Sequence, residues 1–97
     1  MITEEDYKRE LDSPFVSGKI IHHLMTDVFG MPKSRTQRVY EQIRSLYIRD
    51  SEKRNAPVFR TSVPNKVFYD YMVGVGITKD DMLRKIEEVC HGVGEDR

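Results

Sequence analysis

Proline and glycine cut this chain into short stretches, and that limits its fold more than any other feature. Pro14, Gly30 with Pro32, Pro57, Pro64, Gly74 with Gly76, and Gly92 each fall where a regular element has to end. Proline lacks an N–H and glycine gives up helix and strand stability, so no regular element is expected to run through these points, and the longest stretch free of both lies between Pro32 and Pro57. Between these points the apolar residues recur mostly three or four apart, the helical period. The expected fold is therefore mainly α: a single domain of four to five short helices, with one short extended segment near residues 58–63.

The pieces follow in order. Residues 3–11 read as a helix capped by Thr3, with Asp6 in the capping-box position and Tyr7 and Leu11 on one face. Ser13 and Pro14 read as an N-cap and first helical residue, with Ser17 a second possible cap. The helix they open carries Ile20, Ile21, Leu24, Met25, Val28 and Phe29 and closes at Gly30. Ser34 opens the longest helix, with Val39, Tyr40, Ile43, Leu46 and Tyr47 on its apolar side, ending about Asp50. Residues 51–57 read as an exposed loop, and the extended piece that follows ends at Pro64. A fourth helix starts about Asn65 with Val67, Phe68, Tyr71, Met72 and Val75 on one side. Thr78 and Asp81 box the start of a fifth, which carries Met82, Leu83, Ile86, Val89 and Cys90 and stops at Gly92. The domain spans residues 1–92, and 93–97 read as a polar tail.

At 97 residues, with 38% hydrophobic and 33% charged residues, the chain supports one thin core. The single cysteine, Cys90, forms no internal disulfide, so the fold needs no oxidising compartment. The acidic opening Met1–Asp6 is unlike a secretory leader. The longest apolar run, Tyr71–Ile77, is far below the ~20 residues of a membrane span. These features point to a cytoplasmic protein in a reducing compartment, with no membrane partner.

The net charge of zero is an average over unlike regions. Residues 1–30 hold three basic and six acidic residues, residues 31–66 nine and three, and residues 67–97 four and seven. Within the basic middle, Arg35, Arg38, Gln42, Ser45 and Arg49 follow one another by three or four positions and make one stripe beside the apolar seam. Lys33 precedes it; Lys53, Arg54 and Arg60 extend it. Arg44 lies on the same helix. Guanidinium forks suit phosphate and carboxylate geometry. The stripe reads as a phosphate-led, weakly specific contact for DNA or RNA, with Tyr40 and Tyr47 as stacking or interface residues. A protein-interaction module, an inhibitor or adaptor docking its basic patch on an acidic protein surface, is the alternative. A solvated helix face balanced by neighbouring acidic elements is the plain structural account.

Other chemistry is weakly encoded. Residues 66–89 invite a helix-turn-helix comparison, but the break is longer and looser than the usual turn, and the second helix carries four acids against three bases, which opposes DNA. An ordinary helical hairpin in the core is the expectation there. His22 and His23 are neighbours and so lie about 100° apart on a helix, which keeps them from sharing one metal ion. Cys90 and His91 have the same problem, so they read as surface histidines and a buried thiol. Asp80 and Asp81 suit a helix N-terminus without catalysis. Gly74-Val-Gly76 is too short for a dinucleotide fingerprint. No metal, cofactor or catalytic residue is expected, and the chain reads as a regulatory binding protein, not an enzyme. The five methionines suit an adaptable core. Ile48, off the main apolar stripe, suggests a second buried side on the third helix, covered by a homodimer or a partner.

Overall fold

The computed structural model describes residues 2–91. The element order is α1 (Glu4–Leu11), β1 (Phe15–Ser17), α2 (Gly18–His23) running into a π-helical turn (Leu24–Val28), α3 (Lys33–Arg54), β2 (Ser62–Pro64), α4 (Asn65–Gly74) and α5 (Lys79–Cys90). It is a mainly α domain with a two-stranded antiparallel ribbon in which Val16 faces Val63. No helix among the described residues is long and apolar enough to cross a membrane. The stop at Gly92 and the 93–97 tail lie outside the described residues.

The two capping boxes form as the sequence implies. The Thr3 hydroxyl accepts from the Asp6 N–H at 3.1 Å while the Asp6 carboxylate accepts from the Thr3 N–H at 2.9 Å. Thr78 and Asp81 repeat the arrangement at the same distances. Each box satisfies two N–H groups that a helix start otherwise leaves unbonded. Those bonds, first from the threonine N–H, hold the Asp6 and Asp81 carboxyls below their usual range. Lys8, ahead of His91, does the same for Glu4, and His23 for Asp27. A carboxyl whose folded pKa is depressed stabilises the fold above its unfolded value, and loses that effect as pH falls through its folded value. Melting midpoints should therefore hold down to about pH 4 and fall below it. The double variant Asp6→Asn, Asp81→Asn should melt lower at neutral pH and show a flatter acid fall. An acid profile identical to the parent's would count against this account.

The helix does not begin at Ser13–Pro14: residues 15–17 form a strand and the helix starts at Gly18. Ser17, the second cap, starts α2 by accepting from the Ile20 N–H at 3.2 Å. Val16 and Val63 are both fully buried on the inner side of the ribbon. Residues 15–17 therefore exchange a local cap signal for a strand partner some 47 positions away. The Gly18 N–H extends the pairing to Thr61 O at 2.9 Å. A side chain at Gly18 would collide with Tyr40, whose hydroxyl oxygen lies 2.6 Å from where its Cβ would sit.

Three further expectations are corrected. The long helix does not stop at Asp50 but runs to Arg54, so residues 51–54 are not loop; it ends at Asn55, whose φ of 55° is the left-handed helix-stop conformation. Ser51 is buried at 4% and continues the inward row of Thr36, Ile43 and Tyr47. The polar run Ser51–Arg54 hid that row, because its one inward residue is not apolar. Val75 is 56% exposed, because Gly76 (φ 90°) turns the chain away from the core there. Cys90 is exposed rather than buried, and Val89 is 44% exposed. The last turn of α5 meets polar groups of α1: Glu87 bonds Lys8 and His91 bonds Glu4.

The core gathers Tyr7 and Leu11 from α1, Val16, Ile20, Ile21, Leu24, Met25 and Val28, Ile43 and Tyr47 from α3, Val63, Phe68 and Met72 from α4, and Met82 and Ile86 from α5. α4 and α5 do not form the expected hairpin: α4 packs on α3 and the ribbon while α5 packs on α1 and the π-helical turn, although Phe68, Met72, Met82 and Ile86 are each at most 1% exposed. Three of the five methionines thus serve as core filler.

Candidate nucleic-acid interface

The core sets which side of α3 meets water. Thr36, Ile43, Tyr47 and Ser51 point inward, so residues about 100–150° around the helix point out. Arg35, Arg38, Gln42, Ser45, Arg49 and Lys53 are all exposed and share that outer side. From Arg35 to Lys53 the stripe is roughly 27 Å long at 1.5 Å per residue. Lys33, Arg54 and Arg60 are exposed as well.

What separates this stripe from the other described cations, Lys19 apart, is pairing. In the acidic regions Lys8 pairs with Glu4 and Glu87, Arg9 with Asp6, Lys79 with Asp12, Arg84 with Asp81, and Lys85 with Glu88. In residues 31–66 the ion pairs are Arg54 with Asp50 at 3.4 Å and Lys66 with Asp70 at 3.3 Å. Lys33, Arg35, Arg38, Arg49, Lys53 and Arg60 have no acidic partner among the described residues. Exposed ion pairs add little stability, but they cancel charge locally. Glu4, Asp6, Asp81, Glu87 and Glu88 pair with cations of their own neighbourhood, and among the described residues none pairs with the stripe of α3.

The lower half of the stripe borders a groove of about 270 Å³ between α3 and α4, floored by Leu46 and Val67 and edged by Arg49, Lys53, Arg54 and Lys66. Its two acids, Asp50 and Asp70, are the ones already paired, which leaves Arg49 and Lys53 to act on a ligand. At the upper end Arg35 borders an apolar cleft of about 360 Å³ that includes Met25, Phe29, Met31 and Val75. Gln42 is partly committed: its side-chain oxygen accepts from the Tyr71 hydroxyl, so only its NH₂ remains to donate outward.

Neither tyrosine is placed to stack a base. Tyr47 is 3% exposed and its hydroxyl accepts from the Phe59 N–H at 2.9 Å, so its expected role as a stacking residue is overturned by its place on the inward row. Tyr40 is half-buried, its ring packed against His22 with centroids 4.7 Å apart. Arg44 is likewise not free: its guanidinium donates to Phe59 O at 2.7 Å and Ser62 O at 3.0 Å, and it lies 5.4 Å from the Tyr47 ring. Arg44 and Tyr47 together pin residues 59–62 against α3. The one exposed aromatic among the described residues is Phe59, 51% exposed beside Arg60 and edge-on to Phe15 at 5.2 Å. A phenylalanine in an expected extended segment carries no signal in sequence that it will point outward.

The histidines and cysteine do not converge. His22 faces Gly18 O and Gln37, His23 bonds Asp27, and His91 bonds Glu4. Among the described residues no group of three or more His, Cys, Asp or Glu is placed to hold a metal ion. Ile48 is 41% exposed. No family model matches the chain, nor does any curated protein or solved structure.

Proposed function

We propose that this chain is a small, non-enzymatic regulatory binding protein that contacts DNA or RNA through phosphates along the outer side of α3. The observation that carries the reading is the set of six exposed cations in residues 31–66 without acidic partners among the described residues, four of them (Arg35, Arg38, Arg49, Lys53) on one helix side. A charged face that served only to solubilise the helix would gain from local pairing with the surplus acids of this chain, as the other faces do. With Tyr47 buried and Tyr40 packed on His22, the contact is backbone-led and weakly sequence-specific.

Fluorescence polarisation against salt tests this directly. Neutralising four phosphates gives a slope of log K on log salt of about −3 to −4 for duplex DNA, shallower for single strands. Absence of binding to any DNA or RNA at low salt ends the proposal. The alternative, docking on an acidic protein, draws on one observation: the apolar cleft beside Arg35 offers an anchor point next to the positive stripe. Affinity purification from the native cell with and without nuclease separates the two, since partners held through nucleic acid disappear on digestion and a directly docked protein stays.

A further inference from the structure

Two left-handed glycines bring their neighbours to one place. Gly30 (φ 69°) follows the π-helical turn and Gly76 (φ 90°) follows α4. The residues flanking them, Phe29 and Met31, Val75 and Ile77, line the same cleft of about 360 Å³. Met25 and Met72, each 1% exposed, are its most buried residues, and α3 borders it with Val39 and Arg35.

Water finds few partners in this cleft. The Tyr71 hydroxyl, on its wall, is already given to Gln42. The N–H groups of the four turn residues are spent as well: Phe29 bonds Leu24 O at 3.0 Å, Met31 bonds Met25 O at 2.9 Å, Val75 bonds Met72 O at 3.1 Å and Ile77 bonds Met72 O at 2.8 Å. Arg35 is the one charged residue among those that line it. Its side chain is exposed and has no acidic partner among the described residues. A dry apolar wall with a free guanidinium at its edge is thus the pattern a ligand has to match.

We infer that this cleft binds a small amphipathic carboxylic acid, its hydrocarbon part inside and its carboxylate on the Arg35 guanidinium. The volume is that of about a dozen waters at ~30 Å³ each, room for a ligand of about ten non-hydrogen atoms. A protein partner would need roughly 800 Å² of surface on each side, far more than the cleft offers. The guanidinium fork matches the two oxygens of a carboxylate. One cation with no second charge in the lining balances a single negative charge, not the two of a phosphate monoester. Met25, Met31 and Met72, flexible and polarisable, adapt to an unbranched chain. The cleft stands apart from the nucleic-acid reading, and only its effect on the α3 surface rests on that reading. Arg35 is the upper end of the stripe, so an acid held there withdraws one cation from phosphates.

Octanoate, titrated below its micelle-forming range into the full chain isotope-labelled at the methionine methyls, tests the cleft by NMR at constant ionic strength. The Met25, Met31 and Met72 signals should shift and saturate with a Kd of about 1 mM or tighter, while Met82, outside the cleft, moves least. Absence of saturating shifts at these three methyls overturns the proposal. Butanoate, which buries less hydrocarbon, should bind at least about tenfold more weakly. Octanol, which keeps the chain and lacks the charge, should bind at least about fivefold more weakly. Butanoate binding as tightly as octanoate would reduce the event to an anion on a surface cation, and octanol binding as tightly would remove Arg35 from it; either overturns the assignment. Arg35→Gln should abolish the preference for octanoate over octanol. Val75→Asp, at a 56% exposed position on the lining, should repel octanoate in a chain that still folds. Both variants folding and binding octanoate like the parent would overturn it. Saturating octanoate should also weaken nucleic-acid binding several-fold and flatten the salt slope by about 1. Saturable methyl shifts in a chain that binds no nucleic acid retain the cleft and reject the nucleic-acid reading. The same shifts with nucleic-acid affinity unmoved retain the cleft and overturn its coupling to the stripe.

Discussion

Changing Arg38 and Arg49 together to glutamate is expected to weaken nucleic-acid binding by about a hundredfold or more at moderate salt, near 2.7 kcal/mol. Both side chains are exposed and neither has an ion pair to lose among the described residues. The melting midpoint should therefore stay within a few degrees of the parent's. The substitution removes two phosphate contacts and puts two like charges against the backbone, so the salt slope should flatten by about 2. Reversing Arg84 and Lys85 on α5 is the matched control, because both already pair with Asp81 and Glu88 on the acidic side. It should leave affinity nearly unchanged. Arg44 cannot serve in such a test: its loss would free Phe59 O and Ser62 O and disturb the fold. Polarisation titrations of the two doubles decide the matter, and binding by Arg38→Glu, Arg49→Glu within threefold of the parent would move the interface off this helix.

The change expected to cost the most stability is the smallest in shape, Asn65→Asp. Asn65 is 6% exposed, at the start of α4. Its side-chain NH₂, with two hydrogens, lies within hydrogen-bonding reach of three carbonyls, Glu10 O at 2.9 Å, Leu11 O at 3.1 Å and Ser13 O, two of which share one N–H, while the Tyr69 hydroxyl donates to Leu11 O. Its own N–H bonds Pro14 O at 2.9 Å. Together these groups satisfy carbonyls where α1 ends and tie that end to α4 across more than 50 residues. Aspartate keeps the volume and turns the donor into a buried negative charge facing carbonyl oxygens. The expected cost is about 3–5 kcal/mol, a large share of the 5–15 kcal/mol typical of a folded domain. For a domain this size that lowers the melting midpoint by roughly 15–30 °C. Tyr69→Phe, which deletes one donor only, should cost nearer 1 kcal/mol. Calorimetry checks the order, and an Asn65→Asp chain as stable as the parent would remove Asn65 from its proposed role as the tie between α1 and α4.

These residues also show where legibility stops. Thr3 with Asp6 and Thr78 with Asp81 announce two helix starts, because a capping box closes within three residues. Gly30 (φ 69°) and Gly76 (φ 90°) are stops for an equally local reason. The Ser13–Pro14 signal is of the same kind and does not prevail, since Val16 gains more by burying itself opposite Val63. Asn65 reads as an unremarkable polar residue before a helix, because its partners stand at positions 10–13. The candidate interface divides in the same way. The spacing of Arg35, Arg38, Gln42 and Arg49 marks a stripe, yet nothing local distinguishes Arg44, spent on two carbonyls, from Arg38, which has no partner among the described residues. Nor does it separate Tyr47, turned inward, from an exposed ring.

Helix content, the two boxed starts, the glycine stops and the basic stripe were therefore readable from the chain alone, since dihedral preference, capping and amphipathic spacing act within about one helical turn. The ribbon between residues 15 and 64, the Asn65 tie, the end of α3 at Arg54 and the buried hydroxyl of Thr36 were decided by tertiary packing. So was the central fact about the charges. Coulomb attraction at a solvated surface fades within about 10 Å, so whether a cation is cancelled depends on which acid the fold brings beside it. Among the described residues the fold gave the cations of the acidic regions, Lys19 aside, an acid nearby, and left seven in the middle region without one, of which Arg44 is bonded to carbonyls instead.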